Sequence, residues 1–437
     1  RGMACIARPS YCESGLPRPR LYWYPDPLPP WSKASTWRFT FLRRLVSESI
    51  YHEPDGNCAD FFIISNHIEV QRNGKVIQQN STKVAEMFDS LAHRWPHWNR
   101  TAGANLTRHF VLLPCDHGPG DCMYNSLLYL PWRSARLPRS VRPNNPQRSV
   151  GFLEATGATG PSAFFMPEID IRIPQDETDT CGPYCGVPRV PFSKRRKLAS
   201  PLLREYSPWA PGEVVQRNML LRRRRPLQFF WSGSSDGIKG FRGGLFLHHC
   251  NRSRPAWLMR DTSRIGRARG RVCTDGLDPS ALANPGSPAF LARTMSASDF
   301  CFSPLGQRHG DSDRYLPALL YACIPIFVKK DYGPFAQLIP WEEFSLFIEP
   351  ADLPKLHERL ASIPQEQVVR MRFAMSRWWP RMLWPWKEGG ARAALGLSAD
   401  DANAFTTFVE VLQQRLQKDE SGCRVLERPS VPAASGL

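Results

Sequence analysis

Short, fully apolar runs alternate along this chain with longer segments whose apolar positions recur at helical spacing. Residues 20–30, RLYWYPDPLPP, read as a short aromatic strand closed by a proline turn. Residues 39–51 carry apolar positions at helical spacing, Phe41, Leu45 and Ile50 among them, and are predicted to form a helix. DFFIIS at 60–65 and HFVLL at 109–113 are apolar runs of strand length, and residues 84–95 between them carry helical patterning. This β-α-β-α-β alternation predicts a parallel sheet with helices on its faces.

A proline-rich, basic stretch at 131–147 reads as a linker, after which the alternation resumes. A strand ends near 173, and the loop-rich, basic residues 178–225 follow. LQFFW at 227–231 is an apolar strand running straight into SGSSDG. Residues 300–303, 317–323 and 324–328 give strand, helix, strand. Residues 353–360, 365–375 and 402–416 are predicted helices, the last starting behind Ser398 with Asp400 and Asp401 in its first turn, which suits the helix dipole. The expected division is a cysteine-bearing remnant at 1–18, α/β domains at 19–145 and 146–420, and a disordered tail at 421–437. A length of 437 residues independently calls for two cores.

Composition adds compartment and charge. Twelve cysteines without any C-x₂-C pair favour disulfides over a zinc site, and sequons at Asn80, Asn99, Asn105 and Asn251 point the same way, to a secretory lumen. No apolar run approaches the roughly 20 residues of a membrane span. A membrane anchor upstream of residue 1 is compatible with that. The net charge of +17 is concentrated at 193–197, 222–225 and 263–271, and none of these clusters is interleaved with aromatics as single-strand nucleic-acid binders require. Nucleic acid is therefore not an expected partner. An anionic small substrate and plain solvated basic loops both remain open readings.

Three segments could carry chemistry. In FFWSGSSDGIKGFRGG, residues 229–244, a glycine-rich loop after a strand lets backbone amides approach a phosphate, with Arg242 able to close on it; the same composition also makes an ordinary turn. In GQRHGDSDRYLPALL, residues 306–320, Arg308 and Arg314 flank Ser312 where a strand end meets a helix start. The D-S-D at 311–313 admits a metal reading and a helix-capping one. After the strand at 109–113, Asp116 and His117 could supply a general base, or Cys115 and Cys122 could close a loop that Asp116 caps.

Taken together, the blocks LYWYPDPLP, GNCADFFII, PHWNRTAG followed by RHFVLLPCDHG, MPEIDIRIP, FFWSG with FRGG, and SDFCFSPLG through IPWEEFSLFI resemble, in order, the exostosin-like glycosyltransferases of family 47, over residues 20–375. The resemblance implies a GT-B fold, two Rossmann-like domains with parallel sheets facing across a cleft. It implies inverting transfer from a UDP-sugar onto a glycan, polysaccharide or glycoprotein acceptor in the Golgi, with no obligatory metal or other cofactor. The donor site it implies comprises Gly233, Arg242, Gly306, Arg308, Ser312 and Arg314, with Asp116 or His117 as base. Two positions depart from the family. Pro317 stands where an acid is expected to grip the ribose hydroxyls, and Arg108 stands before His109 where the family has Asp. A catalytically inactive glycan-binding or scaffolding member is accordingly the alternative.

Overall fold

The computed structural model describes residues 9–12, 15–25, 40–65, 69–70, 76–77, 81–98, 107–113, 150–154, 166, 168–174, 201–233, 241–250, 256–261, 272–273, 288–304, 314–328, 333–385, 390–398 and 400–427 of the 437-residue chain. The fold is α/β and divides into two compact units. Residues 1–155, 159–172 and 408–437 make the first, and residues 156–158 and 173–407 the second.

The strands of the first unit are β1 (Leu21–Trp23), β2 (Phe61–Ser65), β3 (Glu69–Val70), β4 (Val76–Ile77), β5 (His109–Leu113), β6 (Val150–Glu154) and β7 (Ile171–Arg172). Its five-stranded sheet has the order β1-β2-β5-β6-β7 and every pairing in it is parallel, while β3 and β4 form a separate antiparallel pair. The chain passes through α1 (Thr40–Ser47) between β1 and β2, and through α2 (Ser81–Arg94) before β5. Crossovers of this kind are what parallel pairing demands. Phe61, Phe62, Ile63 and Ile64 are all fully buried, which is why β2 is apolar at every position rather than alternating. Cys12 is disulfide-bonded to Cys58, so the segment before residue 19 is tied to the foot of β2.

The long final helix, Ala404–Glu427, closes this unit. Its polar residues bond to the strand entrances. Arg415 donates to the carbonyls of Ile169 (2.6 Å) and Asp170 (2.9 Å), and Gln413 to that of Arg18 (2.8 Å). Asp419 pairs with Arg108 at 3.0 Å, and Glu420 with Arg18 at 2.6 Å. Asp60, buried, takes the Arg20 backbone N–H (2.7 Å) and is paired with Arg18. Arg108 therefore has an architectural role here, its guanidinium lying over the Phe61 ring (5.0 Å).

The domain limits differ from those expected. β6 pairs with β5 along its whole length, so the first unit continues past the proline-rich stretch as far as residue 172. Its share of the final helix begins at residue 408, and residues 421–427, expected in a disordered tail, are helical. The polar positions there look like a solvated end in sequence, yet Asp419 and Glu420 just before them are used in ion pairs.

In the second unit the strands are β8 (Leu227–Gly233), β9 (Trp257–Asp261), β10 (Val272–Cys273), β11 (Ser298–Ser303), β12 (Ile324–Phe327) and β13 (Leu346–Phe347). The six-stranded sheet runs β10-β9-β8-β11-β12-β13, with β10 antiparallel at one edge and the other pairings parallel. The helices named in this unit are α3 (Val214–Arg222), α4 (Phe241–His249), α5 (Pro288–Ser296), α6 (Tyr315–Leu320), α7 (Leu356–Ala361), α8 (Gln365–Trp378) and α9 (Gly390–Ala394), with a further helical stretch at 201–206, and the closing helix is α10. No helix among the described residues is long and apolar enough to cross a membrane.

Two predictions follow from the buried polar groups of the first unit. Asp419→Ala leaves Arg108 buried without its carboxylate and should cost about 3 kcal/mol in chemical denaturation, whereas the paired change Arg108→Met with Asp419→Leu should recover most of it. Equal losses for both variants would remove the pair from the account. His109 is fully buried against Phe62 (ring centroids 4.5 Å) and Trp98 (4.5 Å), and burial together with nearby His97 holds its pKa well below the ordinary 6.5. The unfolded chain thus takes a proton below about pH 6.5 that the folded one refuses, and stability should fall as pH drops through that value, by up to about 1.4 kcal/mol per pH unit. His109→Phe should flatten this dependence between pH 7 and 5; an unchanged slope would assign it to other groups.

Candidate functional site

In the second sheet, ignoring the antiparallel edge, the parallel strands stand in the order β9-β8-β11-β12-β13. The chain moves one way from β8 to β9 and the other way from β11 through β12 to β13. The reversal makes a topological switch point between β8 and β11, and a crevice opens outside the carboxyl ends of two such strands. The described strands of the first sheet follow one another in sequence order and contain no such reversal. The second unit is therefore where a ligand of the Rossmann type would be held.

Gly233 ends β8, Ser303 ends β11, and Arg314 is the N-cap residue of α6. The fold brings Gly233 and Arg314 together: a Cβ on Gly233 would lie 2.9 Å from Arg314 Nη2 and 2.8 Å from Cζ2 of Trp231. Only glycine leaves room for the guanidinium to lie against the strand end. Trp231 is 1% exposed, is wedged against Phe246 (ring centroids 4.7 Å) and has, among the described residues, no hydrogen-bond partner for its indole N–H. Across the ladder from Gly233 stands Asp261, a buried acid at the carboxyl end of β9. Neither Trp231 nor Asp261 was singled out in sequence, although an acid closing an apolar strand, WLMRD, is a readable signal.

Arg314 is held in place through α6. Tyr315, fully buried, meets Trp341 edge-on at 5.8 Å and Phe327 at 6.3 Å. Trp341 is fixed in turn by donating its indole N–H to the carbonyl of Pro334 (2.9 Å). At the other end of α6, Trp209 Nε1 donates to the carbonyl of Leu319 (2.7 Å) and Ser207 Oγ to that of Leu320 (2.5 Å). The turn into β12 uses Ala322 in the left-handed region (φ 51°), with Cys323 N–H returning to the carbonyl of Ala318 at 2.8 Å. Cys323 is bonded to Cys301 of β11, so a disulfide closes the strand–loop–helix segment that carries Arg314.

Pro317 lies buried in the first turn of α6. Backbone N–H groups there have no intrahelical acceptor, so proline costs the helix no bond, and it offers a ligand no hydrogen-bonding side chain. Arg242, half-buried, is on the first turn of α4, the helix that follows β8 in the chain. Gly306, Arg308, Ser312 and the D-S-D sequence lie outside the described residues, as do Asp116 and His117, which follow β5 in the chain.

Gly233→Ala should force Arg314 and Trp231 apart. Because the indole is locked in the core, the cost should be about 1–3 kcal/mol by denaturant titration. Stability equal to that of the parent protein would show that the close approach is dispensable.

Residues 30–363 match the model of the Exostosin GT47 domain. The chain is 25% identical over 335 residues to the probable beta-1,4-xylosyltransferase IRX10L of Arabidopsis thaliana, covering 76% of this chain and 65% of that one. It is 40% identical over 281 residues to a probable glucuronosyltransferase of Oryza sativa subsp. japonica, covering 64% of this chain and 52% of that one. The chain thus spans 52–65% of the length of these curated relatives. The crystal structure of AviGT4, a glycosyltransferase involved in avilamycin A biosynthesis, aligns with 92% of this chain and 97% of its own at 13% identity and a TM-score of 0.30, a likeness that carries no argument about the fold. Because the domain match begins ahead of β2 and runs to the turn between α7 and α8, through both units, the chain belongs to the exostosin GT47 family.

Proposed function

We propose that the protein is an inverting glycosyltransferase that moves a sugar from a UDP-sugar onto a glycan or polysaccharide acceptor. Family membership supports this reading, and one observation carries it: the Arg314 guanidinium lies against Gly233 at the switch point of the second sheet. A guanidinium there can fork onto a diphosphate oxygen pair, and its charge acts most strongly as the diphosphate leaves. In the step itself the acceptor oxygen bonds to the anomeric carbon as the bond from that carbon to the diphosphate oxygen breaks. The hydroxyl proton passes to a base, assigned to Asp116 or His117, and UDP departs. Arg242, Gly306, Arg308 and Ser312 complete the donor cradle in this proposal, which requires no metal. The disulfides Cys12–Cys58 and Cys301–Cys323, among the described residues, support assignment to an oxidising compartment, the Golgi or another part of the secretory lumen.

The relatives named for xylosyl and glucuronosyl transfer make UDP-xylose and UDP-glucuronate the first donors to try, beside UDP-glucose, UDP-galactose and UDP-arabinose. UDP release should be seen with at least one donor and should persist in excess chelator. Arg314→Ala should weaken UDP binding about 10- to 100-fold, the worth of a charged hydrogen bond. Undiminished UDP affinity in that variant would take Arg314 out of the site. Pro317 favours a second reading, a glycan-binding member without turnover, since no side chain at that position can grip a ribose. Glycan binding without UDP release from any donor, and without a thermal shift on adding UDP, would decide for it.

A further inference from the structure

The basic run at 222–225 has no part in the donor crevice. It lies at the opposite edge of the same sheet, where the parallel strands begin: Arg223–Arg225 lead into β8, and Asp299 and Phe300 open β11. There these residues line a cavity of about 730 Å³, whose far wall is the turn from α7 into α8, including Gln365. That volume is in the range of small-molecule sites, about 300–1,000 Å³.

The charges around the cavity do not balance. Arg224, Arg225 and Arg372 all act on the single carboxylate of Asp299, and Arg223 lines the same cavity. Asp299 is already committed to Arg372, a fully buried residue with which it forms an ion pair. Arg225 is spent on backbone, donating to the carbonyls of Ser298 (2.7 Å) and Tyr321 (3.2 Å). Arg372 also caps the carbonyls of Leu221 (3.3 Å) and Arg223 (3.1 Å), yet its Nε has no acceptor among the described residues. The Gln365 side-chain nitrogen is likewise buried without an acceptor. Arg222 turns away onto the Phe373 ring (5.4 Å), while Arg223 and Arg224 are exposed and donate no side-chain hydrogen bond among the described residues. Unmet donors, excess positive charge and the N-terminal end of the 14-residue α8 all lack the same thing, a negatively charged acceptor.

We infer that this cavity is a second binding site, distinct from the donor crevice, for an organic oxyanion: a carboxylate or phosphate carried on a body of sugar size. Arg223 and Arg224 supply the forks that grip the oxyanion, and Arg225 and Arg372 the fixed positive field behind it. Apolar side chains such as Phe300 and Val368 offer the body a wall. Asp299, neutralised by Arg372, does not repel the ligand.

The test uses the whole chain with glucose 6-phosphate and D-glucuronate as probes and D-glucose as the neutral counterpart. Arginine modification by phenylglyoxal, read by peptide mass spectrometry, should be slowed about tenfold at Arg223 and Arg224 by either anionic probe, and by glucose not at all. Protection by one anion alone fixes whether the site takes carboxylate or phosphate. Arg223→Gln with Arg224→Gln should weaken binding of the effective probe about tenfold or more in calorimetry, while Arg314→Ala leaves it unchanged. The inference falls if neither anion protects these two arginines, if glucose protects as well, or if the double variant binds as tightly as the parent. The footprint is read on the unaltered chain, so it stands even if a variant fails to fold, and failure at this pocket leaves the UDP reading untouched.

Discussion

The parallel pairing of β8 with β11 is the constraint on which the rest of the second unit depends. Phe229 and Phe300 lie opposite each other in that ladder, and the pairing aligns two strands whose chain connections then run in opposite directions. Every feature of the crevice is a consequence. Gly233 must lack a side chain because Arg314, arriving from the neighbouring strand–loop–helix segment, occupies the space beside it. Trp341, Trp209 and the Cys301–Cys323 bond then act on α6, fixing where that arginine begins. A closed loop of this length restricts the unfolded chain by about 3 kcal/mol, so the bond stabilises the folded unit that carries Arg314.

Much of the basic character of the chain is architectural. Arg20 donates to the Ile50 carbonyl (2.6 Å), Arg392 to those of Ser398 (2.7 Å) and Ala402 (3.0 Å), and Arg415, Arg225 and Arg372 cap the strand and helix ends already described. A guanidinium has five donors in a planar fork, so one side chain can satisfy several carbonyls that a loop would otherwise leave unmet. Composition cannot separate such arginines from ones that meet a partner, because both raise net charge equally. Position can: those that cap carbonyls are buried or half-buried, whereas Arg223 and Arg224 lie exposed at a cavity rim.

The strands that were plain in sequence are those covered on both faces. DFFIIS, HFVLL, LQFFW and IPIFV are unbroken apolar runs because parallel strands under helices have no wet side. β6 escaped notice since VGFLE is short, carries a glycine and an acid, and follows a stretch so rich in proline that it reads as a linker. The end of α10 beyond 416 was missed for a different reason: Asp419 and Glu420 look solvent-facing, yet they pair with Arg108 and Arg18. For the site, Gly233 and Arg314 were each readable from local composition. Their contact was not, because it is decided by which strands pair, a long-range choice that leaves no mark on either segment.

Pro317 separates scaffold from chemistry. In the first turn of α6 proline forfeits no hydrogen bond, and its ring is buried with Tyr315 and Leu316, so the substitution is structurally silent. The elements that fix Arg314 act through Tyr315 and the carbonyl end of the helix, and neither depends on what stands at 317. The packing that places Arg314 therefore sets no requirement on the residue at 317. The buried carboxyl of Asp261, across the ladder from Gly233, is an acid at the same strand edge and belongs to a different strand.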